Sequence, residues 1–466
     1  MNVTPLPDDI SARIEERAAR LRDEILCAPS VPAREKTYYV SADGDDSADG
    51  RTPATAWKTA RKPEKDGLEP GSLVLFRRGD LFRGGFRALP GVTYSSYGEG
   101  EKPRIVGSPF DGAKTGSWKE VCPSVWRYSE KLRDDCGGIV FDGGPLHGLK
   151  KIMDWQSGEP VDSVTGEPFR GYFDLTGDLS FWHDLGKEAT SAEEGGYVYL
   201  RSEAGDPARR FREIEFLPRF HGISIGGDNV TIDGLCILYC GAHGIGAPTT
   251  NGLTVRNCVV GWIGGTVQYY HKGRPIRFGN GIEIYGGCTD YTVERCHIFQ
   301  CYDAGVTFQC CGGQNPIVMD GVSFRENLIE DCVYSVEYFL TKPEVPDINN
   351  AMRRISIRDN IMRRAGYGWG VQRPDKLNHA HIKSWDGENR CEGDFVIENN
   401  VFDRGRIMML HVCAEQKEWL PVFRNNRYIQ YRGADLGRIG PVFAPMTAYR
   451  EDVIPDMFRE DTFYSV

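Results

Sequence analysis

Short segments in which hydrophobic and polar positions alternate recur through the second half of the chain. They read NVTIDGLCI at 229 to 237, GLTVRNCVV at 252 to 260, YTVERCHI at 291 to 298, VSFRENLI at 322 to 329, ISIRDNIM at 355 to 362, FVIENNVF at 395 to 402 and VFRNNRY at 422 to 428. Alternation over so few residues predicts half-buried β-strands, each ending in a turn. Alignment places seven residues in one column, at successive spacings of 23, 38, 31, 33, 40 and 26 residues: Leu235, Cys258, Cys296, Asn327, Asn360, Asn400 and Asn426. Such spacings predict one solenoid coil per segment, with loops inserted in the longer intervals.

A second series of strands lies between these segments. It comprises GISIGG (222 to 227), GIGAP (244 to 248), GIEIYGG (281 to 287), GVTFQC (305 to 310), SVEYFL (335 to 340) and RIMMLH (406 to 411). The two series interleave, which is typical of parallel sheets that close around a common core. The aligned asparagines are predicted to adopt left-handed turns and to pass amide hydrogen bonds along the stack. The aligned cysteines are predicted to fill the same inward position as small hydrophobes.

The remaining regions flank or interrupt the repeats. Within residues 1 to 36, helical spacing predicts an N-terminal helix over about 8 to 27, with Asp8 or Asp9 as N-cap; its apolar positions are Ile10, Ile14, Ala18, Leu21 and Ile25. Extended, turn-rich segments follow over 37 to 111. Aromatic-rich segments such as SVWRYS and LSFWHD predict an inserted subdomain of short antiparallel strands over 112 to 218. The main solenoid is predicted over 219 to 430, with 431 to 466 as a tail packed on it.

Composition limits the partners and the location. A net charge of -10 over 466 residues provides no basic stripe, which argues against nucleic acid or an anionic membrane as the main partner. The chain has no apolar run of about 18 residues, and its first residues lack the apolar core of a signal peptide. We therefore expect a cytoplasmic protein whose 14 cysteines are reduced. Paired CxxC motifs are absent, so no zinc site is predicted.

With YYVSADGDDSADGRTPATAWKTA at 38 to 60 and GSLVLFRRGDLFRGG at 71 to 85, the repeats resemble the carbohydrate-active members of the pectate-lyase-like superfamily. The resemblance covers about residues 37 to 110 and 219 to 430. It implies an all-β fold, a right-handed parallel β-helix formed as a single-stranded solenoid, with an inserted β-sandwich-like subdomain and an N-terminal helix. Members include polysaccharide lyases, glycoside hydrolases, epimerases and phage-type depolymerases. An inserted sandwich is similar to the arrangement in certain β-helical β-xylosidases, although no catalytic motif of that group matches residue by residue.

Alternation in the second series predicts which side chains leave the core. The inward set is Ile282, Ile284, Val306, Phe308, Val336 and Tyr338; the outward column is Ser224, Gly246, Glu283, Thr307, Glu337 and Met408, with Tyr285, Gln309 and Phe339 beside it. We predict Glu283, Asp303 and Glu337 as catalytic. Glu283 and Glu337 lie two coils apart, so their backbones are separated by roughly 10 Å. Two catalytic carboxyl groups roughly 6.5 to 9.5 Å apart are typical of an inverting glycosidase, and two carboxyl groups roughly 5 Å apart are typical of a retaining one. The sequence leaves both mechanisms open. Solvated glutamates on an exposed face, and a turn-forming Asp303, are the alternative interpretation.

Substrate contacts are predicted for Tyr285, Thr307 and Gln309 and for two loops. The segment 365 to 385 contributes Trp369, Gln372, Arg373, Asp375, His379, His381, Lys383 and Trp385, and the segment 264 to 280 contributes a groove wall of Tyr269, Tyr270 and His271. Arg373 could clamp the carboxylate of an acidic sugar. His379 and His381 share a face in extended chain, but two histidines without a third ligand do not predict a metal.

The combination of carboxylates, amides and aromatic rings favours a glycoside hydrolase that acts on an oligosaccharide or polysaccharide without a cofactor. The first alternative is a polysaccharide lyase or uronate epimerase, with Arg373, His381 or Lys383 near the reacting carbon and calcium as cofactor. The second is a carbohydrate-binding β-solenoid without catalysis. The sequence leaves a homo-oligomer open.

Overall fold

A computed structural model describes residues 2 to 153, 159 to 162, 165 to 185, 190 to 346, 348 to 373, 378 to 442 and 444 to 466. Parallel strands stack coil upon coil in this part of the chain and form three long sheets around one hydrophobic core. The protein is a right-handed parallel β-helix, the hand in which parallel strands are normally connected. The predicted fold class is therefore confirmed.

We call the sheet that carries the predicted catalytic residues the groove sheet. Its strands are Phe86–Ala88, Ile223–Ile225, Ile245–Ala247, Ile282–Tyr285, Ala304–Cys310, Tyr334–Leu340, Ala380–Ser384, Leu410–Val412, Gly437–Ile439 and, antiparallel to the last, Ala444–Met446. The sheet covered by the N-terminal helix consists of Thr4–Pro5, Leu81–Arg83, Arg104–Val106, Cys236–Cys240, Val259–Ile263, His297–Cys301, Leu328–Glu330, Ile361–Ala365, Val401–Gly405, Arg427–Gln430 and Thr462–Ser465. The third sheet consists of Thr37–Val40, Leu73–Arg77, Thr93–Tyr97, Thr231–Asp233, Thr250–Asn251, Thr254–Arg256, Cys288–Glu294, Val318–Arg325, Ala351–Arg353, Ile355–Arg358, Phe395–Glu398 and Val422–Arg424.

Each repeat of the first series contributes two strands where the sequence predicted one. VSFRENLI, for example, ends the strand Val318–Arg325 of the third sheet and begins the strand Leu328–Glu330 of the helix-covered sheet. The corner between them has a residue with positive φ immediately before the aligned column. This residue is Gly234, at 72°, in the first repeat, and in the others, with φ between 49° and 60°, it is Asn257, Arg295, Glu326, Asp359, Asn399 and Asn425. The prediction that the column asparagines are themselves left-handed is wrong, because the left-handed residue before each of them turns the corner and directs the next side chain into the core.

The asparagine column forms a continuous ladder, as predicted. The Nδ2 groups of Asn327, Asn360 and Asn400 each donate to the Oδ1 of the next asparagine at 3.0 Å, and Asn426 donates to Asp461 Oδ1 at 3.3 Å. Each Oδ1 also accepts the backbone N–H of the preceding member, as Asn360 does from Asn327 at 3.0 Å. The ladder thus satisfies buried polar groups at the same corner of successive coils.

The N-terminal helix α1 (Asp8–Leu26) packs on the helix-covered sheet through its predicted apolar face: Ile14, Ala18, Leu21 and Ile25 are buried. Arg22 adds an ion pair of 2.7 Å with Glu330 of that sheet. The predicted N-cap is wrong, because Pro7 occupies the cap position. Asp8 and Asp9 lie in the first turn, where carboxylates favour the positive end of the helix dipole. Shorter helices are Lys62–Asp66, Pro207–Arg210 and Ala448–Glu451, with 3₁₀ turns at Pro53–Thr55, Tyr172–Asp174, Trp369–Gln372, Lys417–Trp419 and Asp456–Phe458. No helix in the described ranges has the length and apolarity required to cross a bilayer.

The region between the entrance coils and the main solenoid forms two further sheets. One contains Trp118–Cys122, Val125–Asp134, Leu149–Met153, Pro160–Asp162, Ser180–His183 and Ser191–Arg201, and the other Cys136–Phe141, Leu146–His147 and Ile214–Pro218. Both supply residues to one hydrophobic cluster that includes Trp118, Phe141, Phe181 and Phe216. Pairing is mostly antiparallel, except that Leu149–Met153 runs parallel to Ser180–His183.

A separate hairpin, Thr266–His271 and Arg274–Phe278, extends from the solenoid and is held by this subdomain. The buried carboxylate of Asp135 accepts the backbone N–H of Val267 at 2.8 Å and forms an ion pair of 2.8 Å with Lys150. Arg277 of the hairpin lies 3.7 Å from the same carboxylate.

Replacement of a ladder residue should destabilise the whole solenoid. Asn360→Ala removes the partner of the N–H and Nδ2 of Asn327 and of the carbonyl of Phe324 in a fully buried position. Asn400 Oδ1 loses one of its two donors and keeps the backbone N–H of residue 360. We expect the free energy of unfolding in urea to fall by about 3 kcal/mol. The control is Asn399→Gly, at the exposed left-handed residue that precedes Asn400 in the next coil, which should change stability by less than about 0.5 kcal/mol. Equal losses in both variants would contradict a stabilising role for the ladder.

The last acceptor of the ladder should make stability depend on pH. Burial raises the pKa of Asp461 from 3.8 to about 6, so ionisation between these values favours the unfolded chain. The contribution of this carboxyl is therefore present below about pH 4 and is lost as the pH rises through 6. Asp461→Asn should be more stable than the parent above pH 6 by about 1 kcal/mol, with no difference near pH 4. Thermal unfolding at a series of pH values tests this prediction. As a control, replacement of the exposed Asp394 by asparagine should change stability by the same amount at every pH.

Candidate active site

Strand register places one outward column along the groove sheet. Paired residues in successive strands are Arg87, Ser224, Gly246, Glu283, Thr307, Glu337, Lys383, His411 and Arg438. The predicted column is confirmed from Ser224 to Glu337, but Met408 does not belong to it. The segment 380 to 384 forms an additional strand that the sequence prediction treated as loop, so Lys383 follows Glu337. Met408 is buried before the next strand, and its N–H donates to the carbonyl of His379 at 3.2 Å.

The three predicted carboxylates line a single cavity of about 650 Å³ above this column. Its lining consists of His243, Tyr269, Ile276, Phe278, Glu283, Tyr285, Asp303, Gln309, Cys311, Glu337, Phe339, Thr341, Arg373 and Trp385. The structure therefore brings together Tyr285, Gln309, Arg373 and Trp385 of the predicted contact residues with Glu283, Asp303 and Glu337.

Glu283 is only 6% exposed and is surrounded by donors. Its Oε2 accepts hydrogen bonds from Asn280 Nδ2 and from Gln309 Nε2, the latter at 3.1 Å, and its Oε1 lies 3.2 Å from His243 Nε2. Burial raises the pKa of Glu283 to about 7, the negative charge of Asp303 adds to this effect, and the amides of Asn280 and Gln309 oppose it. Burial prevails, so this carboxyl can carry a proton near neutral pH.

His243 and Asn280 belong to a second column at the start of the strands, which the sequence prediction missed. The backbone N–H of Asn280 donates to His243 Nδ1 at 3.0 Å, and Asn280 Oδ1 accepts the N–H of Ala304 at 2.9 Å. Burial lowers the pKa of His243 to about 4, so the ring is neutral at pH 7. Because Nδ1 is an acceptor, the proton is on Nε2 and is donated to Glu283. A signal was available in the sequence, since His-Gly-Ile at 221 and 243 and Asn-Gly-Ile at 280 repeat immediately before three strands.

Asp303 and Arg373 form a buried ion pair of 2.7 Å at the edge of the cavity. Arg373 also donates to the carbonyl of Tyr302 at 3.4 Å, and its guanidinium lies 5.5 Å from the centroid of that ring. The prediction that Arg373 clamps a substrate carboxylate is weakened, because a carboxylate of the protein itself already occupies this position.

Glu337 lies at the other end of the cavity, two strands from Glu283, and is 2% exposed. The indole N–H of Trp385 donates to Glu337 Oε1. Lys383, the next residue in the column, places its Nζ 4.1 Å from the Trp385 ring centroid and 3.1 Å from His411 Nδ1. Glu337 therefore has a cationic residue as its neighbour in the column, whereas the neighbours of Glu283 are Gly246 and Thr307.

The floor and walls of the cavity suit a hydroxylated ring. Gln309 lines the cavity, and its Oε1 has no hydrogen-bond partner among the described residues. A ligand rich in hydroxyl groups can satisfy such an atom. Thr307, a predicted contact residue, is fully buried between the strands of Glu283 and Glu337 and lies outside the lining. The walls are aromatic: Tyr269, Phe278, Tyr285, Phe339 and Trp385. Flat apolar faces combined with a few polar groups are typical of sugar sites.

Other predicted contact residues lie outside the cavity lining. Trp369 is buried against Trp262 and Tyr302, and its indole donates to the carbonyl of Gln300 at 2.7 Å. His381 lies in the core, with Nδ1 2.9 Å from Ser335 Oγ and its ring packed on Phe402.

Four further predicted positions also lie outside the cavity lining, and a fifth lies outside the described residues. His379 is buried, and a side chain at Gly366 would meet its ring. In the hairpin, Tyr269 lines the cavity and neither Tyr270 nor His271 does. Alternation turns Tyr270 to the opposite side of the strand, and His271 shares the side of Tyr269 but is the last residue of the strand and lies beyond the lining. Lys383 is fully buried below the cavity, and Asp375 lies outside the described residues. Among the described residues, no three His, Cys, Asp or Glu side chains come together as ligands for a metal ion.

No family model matches the chain, and no curated protein matches it. Similar solved structures include a complex of XylC with xylose, at 13% identity over 85% of this chain and 68% of that one, with a TM-score of 0.45. Pectate lyase Pel9A is 12% identical over 86% and 70% of the two chains, with a TM-score of 0.40, and the native GH136 lacto-N-biosidase from Eubacterium ramulus is 10% identical over 98% and 70%, with a TM-score of 0.35. These values are too low to transfer an activity or a substrate. The strand pairing of the chain itself establishes a parallel β-helix.

Proposed function

We propose that this protein is a glycoside hydrolase in which Glu283 is the general acid and Glu337 the general base. The observation that carries the proposal is the buried carboxyl of Glu283, whose pKa is raised to about 7, in one cavity with two further carboxylates and five aromatic rings. A general acid must hold its proton at working pH, and a raised pKa is the usual means.

The two glutamates differ in the way this chemistry requires. Glu283 can protonate the oxygen of the leaving sugar, while Asn280, Gln309 and the Nε2–H of His243 stabilise the carboxylate that remains. Glu337 faces the same cavity across Thr307, with backbones roughly 10 Å apart. This spacing supports a water molecule between base and sugar, and thus inversion at the anomeric carbon.

Asp303 has a different role in this proposal. Its charge raises the pKa of Glu283, and its ion pair with Arg373 holds it in place. It therefore keeps the acid protonated without touching the reacting carbon. If Asp303 were instead the nucleophile of a retaining enzyme, its removal would abolish turnover and the product would keep its anomeric configuration.

A lyase or epimerase receives less support from the site. It needs a basic side chain at the reacting carbon, and of Arg373, His381 and Lys383 only Arg373 lines the cavity, where it is paired with Asp303. Unsaturated products detected by ultraviolet absorbance on uronate polymers would favour that alternative.

Removal of the acid or the base should abolish hydrolysis without loss of the fold. With a substrate identified by a screen of nitrophenyl glycosides and oligosaccharides, Glu283→Gln and Glu337→Gln should each lower kcat by about 100- to 10,000-fold. The exposed Glu418→Gln serves as control and should retain full activity. Nuclear magnetic resonance of the first product should show inversion. Full activity in both active-site variants would contradict the assignment.

The pH profile should move in opposite directions in two further variants. Activity is expected to fall as the pH rises through about 7, where Glu283 loses its proton. Gln309→Leu removes a donor that favours the ionised form, so the alkaline limb of kcat/KM should shift upward. Asp303→Asn removes a neighbouring negative charge, so the limb should shift downward while turnover persists. Shifts in the same direction, or none, would exclude Glu283 as the group that titrates.

A further inference from the structure

The outward column continues beyond the candidate active site to a second cavity of about 300 Å³. Gly246 separates Glu283 from Ser224 and Arg87, which lie two and three strands away, or roughly 10 to 14 Å. The lining of this cavity includes three arginines, Arg61, Arg87 and Arg219, and one acid, Glu64. The local excess of positive charge contrasts with the net charge of -10 of the chain.

The column of histidines that supports Glu283 repeats at this second cavity. The ring of His221 stacks on that of His243 with centroids 5.1 Å apart and planes at 8°. His221 Nδ1 accepts the N–H of His243 at 3.4 Å, just as His243 Nδ1 accepts the N–H of Asn280. The same geometry leaves Nε2 of a neutral His221 as a donor, and His221 lines the second cavity.

The two coils differ in what meets this donor. His243 Nε2 meets the carboxylate of Glu283, which belongs to the strand of the next coil. The equivalent position for His221 is Gly246, where an added Cβ would lie 3.0 Å from the His221 ring. His221 therefore repeats the Nε2 donor of His243, but the next coil provides no carboxylate to accept from it. A negatively charged oxygen of a ligand can bind to His221 in the position that the Glu283 carboxylate occupies beside His243.

The arginines are arranged to hold such an oxyanion. Arg61 Nε donates to the carbonyl of Gly85 at 2.7 Å and Arg87 Nη2 to that of Gly226 at 3.2 Å, so backbone groups orient both guanidinium groups without neutralising them. Glu64 accepts the backbone N–H of Arg87 at 3.2 Å, and Asp134 forms an ion pair of 3.7 Å with Arg219 Nη2. Asp134 therefore balances part of the charge of Arg219, whereas Arg61 and Arg87 form no ion pair within the described part of the chain. Guanidinium groups bind carboxylate, sulfate and phosphate through paired hydrogen bonds.

We propose that the second cavity is a subsite for an anionic sugar, one that carries a carboxylate, sulfate or phosphate, and that it selects substrates for the candidate active site. Phe220, 39% exposed at the same cavity, supplies an apolar face for the sugar ring. The inference deepens the proposed function by naming the substrate class. It also moves recognition of the acidic group from Arg373, which is paired with Asp303, to Arg61, Arg87 and Arg219.

Binding of monosaccharides tests the subsite without any need for hydrolysis, so its result is independent of the proposed reaction. The probes are D-glucuronate, D-glucose 6-sulfate, D-glucose 6-phosphate, neutral D-glucose and inorganic sulfate, each titrated by ligand-observed nuclear magnetic resonance. We expect at least one anionic sugar to bind more tightly than both D-glucose and inorganic sulfate. Arg87→Gln and Arg219→Gln should each weaken that binding by about tenfold or more.

The matched control is Arg438→Gln. Arg438 is an exposed arginine of the same outward column, at the opposite end of the groove sheet, and it lies outside the lining of the second cavity. Its replacement changes the net charge equally and should leave affinity unchanged. An equal loss of affinity in Arg87→Gln, Arg219→Gln and Arg438→Gln would mean that long-range charge, and not contact in the second cavity, explains the binding, and it would overturn the proposal. Binding of D-glucose as tight as that of the anionic sugars, no binding by any of them, or an affinity for inorganic sulfate that matches theirs would also overturn it.

Discussion

The parallel register between successive coils is the constraint on which the site depends. Side chains of a strand alternate between its two faces, so a shift of one residue in any coil would turn Glu283 or Glu337 into the core. The registry of Glu283 with Thr307, and of Thr307 with Glu337, is held by backbone pairing within the groove sheet. It is also held at a distant corner, where the ladder from Asn327 to Asp461 joins successive coils through buried amide hydrogen bonds. The asparagine ladder inside the core thus helps to align the outward column of the groove sheet, which carries Glu283 and Glu337.

The same sheet gives its carboxylates different surroundings because each coil ends in different residues. Glu283 lies in a dry position where burial outweighs three hydrogen-bond donors, so the protonated form is favoured near neutral pH. Asp303 is one strand further on and is matched by the guanidinium of Arg373. Glu337 accepts from an indole and has Lys383 as its neighbour in the column. The regular solenoid supplies the spacing, and the irregular loops supply the electrostatic differences.

Segments outside the solenoid form part of the wall of the cavity. The hairpin of residues 266 to 278 contributes Tyr269, Ile276 and Phe278 to the cavity. It is held from behind by Asp135 of the inserted subdomain, whose carboxylate binds the backbone of Val267 and lies near Arg277. Removal of that buried carboxylate would leave Lys150 and Arg277 as uncompensated charges, so the anchor depends on the complete group. The inserted subdomain therefore bears on the shape of the cavity although none of its strands lines it.

Sequence alone determined the repeat, the core and the candidate carboxylates. Alternation and coil spacing are local properties, so the inward positions of Ile282, Val306 and Val336 and the outward positions of Glu283, Thr307 and Glu337 could be predicted. Other features were decided by the tertiary structure. The residue that follows Glu337 in the outward column is Lys383 and not Met408, because residues 380 to 384 form a further strand within a segment that the sequence predicted as loop. Periodicity does not detect a single strand within an irregular loop. Asn280 lies three residues before Glu283 in the same coil, whereas His243 meets Glu283 only when two successive coils are stacked. Burial, which sets the protonation of Glu283, is a property of the assembled cavity rather than of any segment.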